Sequence, residues 1–144
     1  IGEWNVERRK ATKEEAQALD IHNGAEVVNV CRVILAENRP VAYLVDVLPV
    51  EILNPDELGD DFSGSVLDHL LKRGQPPLNS SRTEINAVTA SRKVARALGI
   101  QRGDVLLFFT AFLYGDSGRV VDYSFSYFLP GYFRFHVVRR VGRA

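Results

Sequence analysis

No stretch of this sequence approaches the ~20 consecutive apolar residues that a membrane-spanning helix requires, because Arg32, Asp46, Asp104 or Asp122 interrupts every long run. A soluble protein without a membrane partner is expected. Cysteine occurs once, at Cys31 inside the apolar run Val27 to Leu35, which excludes an intramolecular disulfide and suits a small buried hydrophobe in a reducing, cytoplasmic setting. Net charge is also missing, since eighteen basic residues balance eighteen acidic ones. A segment that grips nucleic acid by neutralising phosphates carries a marked basic excess, so this segment is not expected to do so itself. Arg134, Arg139, Arg140 and Arg143 make the C-terminus locally basic, but Phe135, Val137, Val138 and Val141 punctuate them as in a solvated strand edge.

Metal and catalytic signatures are absent too. His22, His69 and His136 have no Cys, Asp or Glu partners at zinc-ligand spacing. There is no Gly-x-Ser-x-Gly elbow, phosphate-binding glycine-rich loop or Gly-x-Gly-x-x-Gly, and no cofactor is implied. Methionine is wholly absent and the chain begins Ile1-Gly-Glu-Trp, so the natural protein is expected to extend upstream, where a second activity would sit.

What is present is said twice. Ala16-Gln-Ala-Leu-Asp-Ile-His-Asn-Gly24 returns 79 residues later as Ala95-Arg-Ala-Leu-Gly-Ile-Gln-Arg-Gly103, and each copy precedes two apolar runs joined by a turn. Two repeats are too few for a solenoid, so a single domain whose halves share a sheet is expected. Residues 1–10 read as a linker or edge segment, with the domain proper at 11–144. Thr12 and Glu15 have capping-box spacing and predict a helix to about Leu19. Strands follow at Val27–Ala36 and Pro40–Leu48, joined by a short loop at Glu37-Asn38-Arg39.

Residues 51–62 carry Asn54-Pro55 and Gly59-Asp60-Asp61 and predict an exposed loop with room for one helical turn near Ile52. Ser63-Gly64-Ser65 opens an amphipathic helix with Val66, Leu67, Leu70 and Leu71 inward and Gly74 at its end. A strand from Leu78 to about Val88, a helix from Ser91 to Leu98, and a hairpin of Val105–Tyr114 with Arg119–Phe128 complete the second copy. Tyr132 to Val141 is expected to close the sheet. Short turns require antiparallel strands, so the class is α+β, with one sheet face on helices and the other on a second layer or pocket.

Three features could carry chemistry. Arg32 shares a strand face with Val30 and Ile34, where a guanidinium is costly unless an anionic ligand or an acid such as Asp46 or Asp122 meets it. Asp122, Ser124 and Ser126 alternate along one face of the last hairpin strand, either as a solvent face or as a covered binding wall. Gly64-Ser65 presents free N–H groups at a helix start, as a plain cap or as an anion seat.

In order and spacing these segments resemble the UTRA effector-binding domain of the HutC subfamily of GntR-type bacterial transcription regulators. The motifs are Ala16-x-x-Leu19-x-Ile21-x-x-Gly24, Arg32-Val33, Pro40-Val41 to Leu48-Pro49, Gly64-Ser65-Val-Leu, Ala95-x-x-Leu98-Gly-Ile-x-x-Gly103, and Val121-Asp122-Tyr-Ser124 before Tyr-Phe-Arg-Phe. The resemblance implies a chorismate lyase-like antiparallel sheet with packed helices enclosing a ligand pocket, an upstream winged helix-turn-helix domain for operator DNA, and a homodimer. It implies that Arg32 meets an anionic group of the effector, that Ser65 lies beside it, and that Asp122 meets hydroxyl or amino groups. Where the family often has a second arginine, a tyrosine, an acid and a tyrosine, this chain has Ile34, Leu67, Leu44 and Phe128. Such a pocket favours a small organic anion with an apolar part over a phosphosugar. The rival readings are a chorismate lyase-like enzyme and a ligand-free dimerisation module in which Arg32 and Asp122 pair.

Overall fold

A computed structural model describes residues 1–142. In chain order it contains β1 (Trp4–Lys10), α1 (Lys13–Leu19), β2 (Glu26–Ala36), β3 (Arg39–Pro49), a short 3-10 helix at Pro55–Glu57, α2 (Val66–Arg73), β4 (Leu78–Thr89), α3 (Arg92–Leu98), β5 (Val105–Gly115) and β6 (Val120–Phe128). The strands make one antiparallel sheet in the order β1-β2-β3-β6-β5-β4. The α+β expectation is met.

The repeat in the sequence becomes a repeat of backbone geometry. Thr12 caps α1 at φ −71°, ψ 166° and Ser91 caps α3 at φ −72°, ψ 168°. Both helices end on a left-handed residue, Asp20 in one and Gly99 in the other, a conformation that costs glycine least. The Ile21 N–H donates to Ala16 as that of Ile100 does to Ala95, and Ala11 donates to Ala25 as Ala90 does to Asp104. The repeating unit therefore includes a leading strand, giving β1-α1-β2-β3 and β4-α3-β5-β6. The sheet order places the two units about an approximate two-fold between β3 and β6.

The caps permit a direct comparison of the copies. Thr12→Ala is expected to cost about 1–2 kcal/mol and Ser91→Ala about 1 kcal/mol, both read by chemical denaturation. Thr12 is the costlier loss because its capping box is reciprocal and its Glu15 is also held by two Arg9 hydrogen bonds at 2.7 and 2.8 Å.

Between β2 and β3 the turn is two residues, Glu37 and Asn38, both at positive φ (51° and 65°). That is the twist a type I′ hairpin demands. Alternation then sorts the side chains. One face carries Val27, Val33, Tyr43, Val47 and Tyr123, covered by Leu19 of α1 and by Val94, Ala95 and Leu98 of α3. The opposite face carries Val28, Val30 and Leu48, covered by Val66 and Leu70 of α2 and by Ile52, Leu53 and Leu58.

Three expectations need correction. The segment 51–62 is not simply an exposed loop, because Ile52, Leu53 and Leu58 are buried and its helical turn lies at Pro55–Glu57 rather than near Ile52. Arg73 of α2 ties this segment down, donating to the Ile52 carbonyl at 2.6 Å and to Glu57 at 2.7 Å. The inner face of α2 is narrower than expected: Val66 and Leu70 are buried, whereas Leu67 and Leu71 are 45% and 57% exposed. A two-turn helix buries one i, i+4 stripe, and the next stripe lies 100° round.

The third correction concerns Tyr132–Val141, which forms no strand. Both ends of the sheet are already occupied by β1 and β4, and the tail instead lays Phe133 and Phe135 on Phe109 and Phe128, with ring centroids 4.5–4.9 Å apart. Val137, Val138 and Val141 stay exposed. Arg143, one of the basic C-terminal arginines, lies outside the described residues. No helix is long and apolar enough to cross a membrane.

Candidate functional site: a buried ionisable cluster under the start of α2

Sheet register places six of the expected site residues on one face. Arg32 of β2 pairs with Leu44 of β3, Leu44 with Ser126 of β6, and Ser126 with Phe109 of β5, forming one transverse row. The adjacent row runs Val30, Asp46, Ser124, Ala111. Phe128 lies opposite Ala42 and Leu107, one row to the other side, and Asp122 is two residues from Ser124 on the same face, opposite Leu113. Antiparallel pairing keeps opposite residues on one side of the sheet, which gathers positions more than ninety apart in sequence.

At the centre of this face Arg32, Asp46 and Asp122 are only 5%, 6% and 4% exposed. The Arg32 guanidinium forms an ion pair with Asp46 and donates from Nε to the Gly64 carbonyl at 2.6 Å. Sequence alone left Asp46 and Asp122 as alternative partners, and the geometry selects Asp46. The reason is register: Asp46 sits diagonally from Arg32 on the neighbouring strand, whereas β6 is one strand further away. The same guanidinium holds the chain just before α2, because Gly64 precedes the Ser65 cap.

That approach is close. Gly64 has φ +101°, and a Cβ there would lie 2.6 Å from the Ile1 side chain, so only glycine fits. Ser65 caps α2 by accepting from the Asp68 N–H at 3.0 Å. Its hydroxyl is committed to the helix, while its position is set by the Arg32–Gly64 bond. Leu67 points to the surface and does not join the sheet-face cluster.

Asp122 is the unusual member. Its Oδ1 meets no hydrogen-bond partner among the described residues, and an orphaned buried acceptor is uncommon. Burial pushes its pKa well above the ordinary carboxylate value; the Asp46 charge and a hydrogen bond shared with Asp46 push the same way, against the pull of Arg32. Two neighbouring carboxyls in one dry site cannot both ionise cheaply, so the proton resides on Asp122. One cation, one anion and one neutral acid make the cluster electrically balanced.

Around it the wall is mixed. Leu44, Ser124, Ser126 and Phe128 are half-buried, with Phe109 and the tail phenylalanines beside Phe128. A cavity of about 170 Å³ reaches Arg32 from the β1 side, lined by Trp4, Asn5, Cys31 and Tyr43 among others. A larger cleft of about 720 Å³ lies between residues 57–63 and α2, bordered by Ser63, Asp68 and Leu71, and shares no residue with the ionisable cluster. Asp46 is the site residue that the carry-over from the family left out. Its signal is a lone charge within the apolar run Val41–Leu48.

The comparisons agree with this architecture. A model of the UTRA domain matches residues 4–134. The helix-turn-helix-type transcriptional repressor NagR of Bacillus subtilis is 26% identical over 117 residues, which is 81% of this chain and 47% of NagR. The chain thus spans about half the length of the curated relative it matches. Among solved structures, the ligand-binding domain of a GntR-family transcriptional regulator from Bordetella bronchiseptica superposes with a TM-score of 0.86 at 20% identity, covering 96% of this chain and 92% of that one. A transcriptional regulator from Streptomyces coelicolor gives 0.80 at 27% identity, covering 95% and 94%. The effector domain of PhnF from Mycobacterium smegmatis gives 0.81 at 17%, covering 97% and 85%. With the family model matching most of its length and its duplicated six-stranded sheet shared with these regulators, the chain belongs to the UTRA domain family of GntR-type transcriptional regulators.

Proposed function

We propose that this domain senses a small organic anion with an apolar part and passes its occupancy to operator DNA through a DNA-binding domain elsewhere in the same protein. The observation that carries the reading is the buried Arg32–Asp46–Asp122 cluster at the foot of α2, flanked by Leu44, Ser124, Ser126 and Phe128 on one sheet face. Arg32 supplies the positive charge for an anionic group, the Asp122 carboxyl and the two serines supply hydrogen bonds, and Leu44 with Phe128 suits an apolar body. Because Arg32 also holds Gly64, a ligand drawing the guanidinium away would shift the chain at the start of α2. This coupled contact gives ligand a route to change shape rather than merely fill space. The domain acts without catalysis, as the repressor NagR and the GntR-family neighbours are regulators.

In the full protein two copies act as a homodimer, and ligand selects one arrangement of the pair. Linkage then makes ligand and DNA alter each other's affinity by the same factor, typically about 5–150-fold. The test is titration of a library of aromatic and aliphatic carboxylates against the full-length protein, first by thermal shift and then by operator binding. A stabilising ligand that changes operator affinity supports the proposal. Unchanged operator affinity at saturating ligand overturns the coupling, and a variant Arg32→Met/Asp46→Leu that still binds the ligand overturns the site.

A further inference from the structure

The approximate two-fold makes β1 and β4 equivalent edges of the sheet, yet the two are protected very differently. β1 carries Glu7, Arg8, Arg9 and Lys10 among its seven residues, and Arg8 and Arg9 are engaged by Glu26 and Glu15. Charges of this density are a standard block against edge-to-edge pairing. β4 has twelve residues, of which only Arg82 and Glu84 are charged, and it contains neither proline nor lysine. Its single irregularity falls at the Leu78/Ser80 end, leaving residues 80–89 in regular register with β5. Residues 79–87 are exposed on both faces, including Ile85 at 52%. A long, straight, unblocked edge is a template for another strand.

The charge pattern identifies the strand it fits. In an antiparallel pair related by a two-fold at Thr83, Arg82 of each copy falls opposite Glu84 of the other, Ser81 opposite Ile85, Ser80 opposite Asn86, and Leu78 opposite Val88. A two-fold at Arg82 or Glu84 sets like charges face to face. Within one copy Arg82 and Glu84 stand on the same face of the strand, 3.7 Å apart and largely solvated, so each can turn to a cross-strand partner without leaving a buried charge behind. We propose that β4 is a self-complementary homodimer interface, in which two copies of this chain pair antiparallel about Thr83 and their sheets join into one. This deepens the homodimer named in the proposed function. The edge N–H and C=O groups supply the affinity and the Arg82–Glu84 pairs set the register.

Sedimentation of the chain across a concentration series tests this, with unfolding midpoints confirming that each exposed-edge variant folds. The unaltered chain is expected to form a reversible dimer. Arg82→Glu and Glu84→Arg each place like charges opposite one another at two symmetry-related positions, and each is expected to weaken the dimer by about tenfold or more. The double exchange Arg82→Glu/Glu84→Arg restores both pairs and is expected to return the dimer to within about threefold of the original. In a Cys31→Ser background, Thr83→Cys is expected to crosslink the two copies on mild oxidation. A chain that stays monomeric overturns both this interface and the homodimer reading. A dimer indifferent to the single reversals, or not rescued by the exchange, overturns the β4 register while leaving the homodimer standing. Neither result touches the ligand site, whose test is separate.

Discussion

Replacing Arg32 with alanine is expected to destabilise the domain by about 3–5 kcal/mol, because it leaves the Asp46 carboxylate buried without its counter-charge. It also removes the donor to the Gly64 carbonyl. Urea denaturation at neutral pH reads the loss directly. The double replacement Arg32→Met/Asp46→Leu is expected to recover most of it, since a buried ion pair seldom outperforms well-packed apolar side chains of similar size. Comparing the two variants separates structure from function: the single change removes fold and ligand contact together, whereas the double change spares the fold. A single-variant loss below about 1 kcal/mol would mean that water reaches Asp46 once the arginine is gone, and the cluster would not be the dry site described.

Asp122→Asn is expected to make the domain more stable at neutral pH and to flatten part of its pH dependence. In the folded chain burial and the neighbouring Asp46 keep the Asp122 proton bound well above the ordinary carboxylate range. The unfolded chain releases that proton near pH ~3.9. Between those two limits the folded state binds more protons than the unfolded state, so stability falls as pH rises, by up to about 1.4 kcal/mol per pH unit for one group. Below the unfolded value the contribution is fully present. Glu51 and Glu57, whose pKa values are lowered in the folded state, contribute with the opposite sign at acid pH. The informative quantity is therefore the difference between the two proteins measured at matched pH. An asparagine amide keeps the shape and neutrality of the protonated acid, so that difference should grow in the variant's favour from acid to neutral pH. A difference that stays flat would show that Asp122 does not hold the proton.

Much of the candidate site was legible because it depends on period-two alternation. Once β6 was read as a strand, Asp122, Ser124 and Ser126 had to share a face with Phe128, and Arg32 had to share one with Val30. Register between strands was not legible, so the choice of Asp46 over Asp122 as the partner of Arg32 stayed open. The α2 face was misread for a related reason: hydrophobicity at Val66, Leu67, Leu70 and Leu71 describes a wide stripe, and only docking against the sheet decides which part is covered. Tyr132–Val141 has a strand-like pattern, but strand formation requires a partner edge as well as a propensity. Within one chain that partner is missing.

By itself the sequence determined the duplicated unit, the helix caps, the hairpin turns, the antiparallel class and the family, all of which rest on local patterns or on their order along the chain. The tertiary structure alone decided that the leading strands β1 and β4 belong to the repeat and become its two edges. It also decided that Arg32 is neutralised by Asp46, and that Asp122 is left with an unpartnered oxygen and a retained proton. These are consequences of diagonal neighbours on adjacent strands and of exclusion from water. Both depend on distances between residues far apart in the chain, which no local pattern encodes.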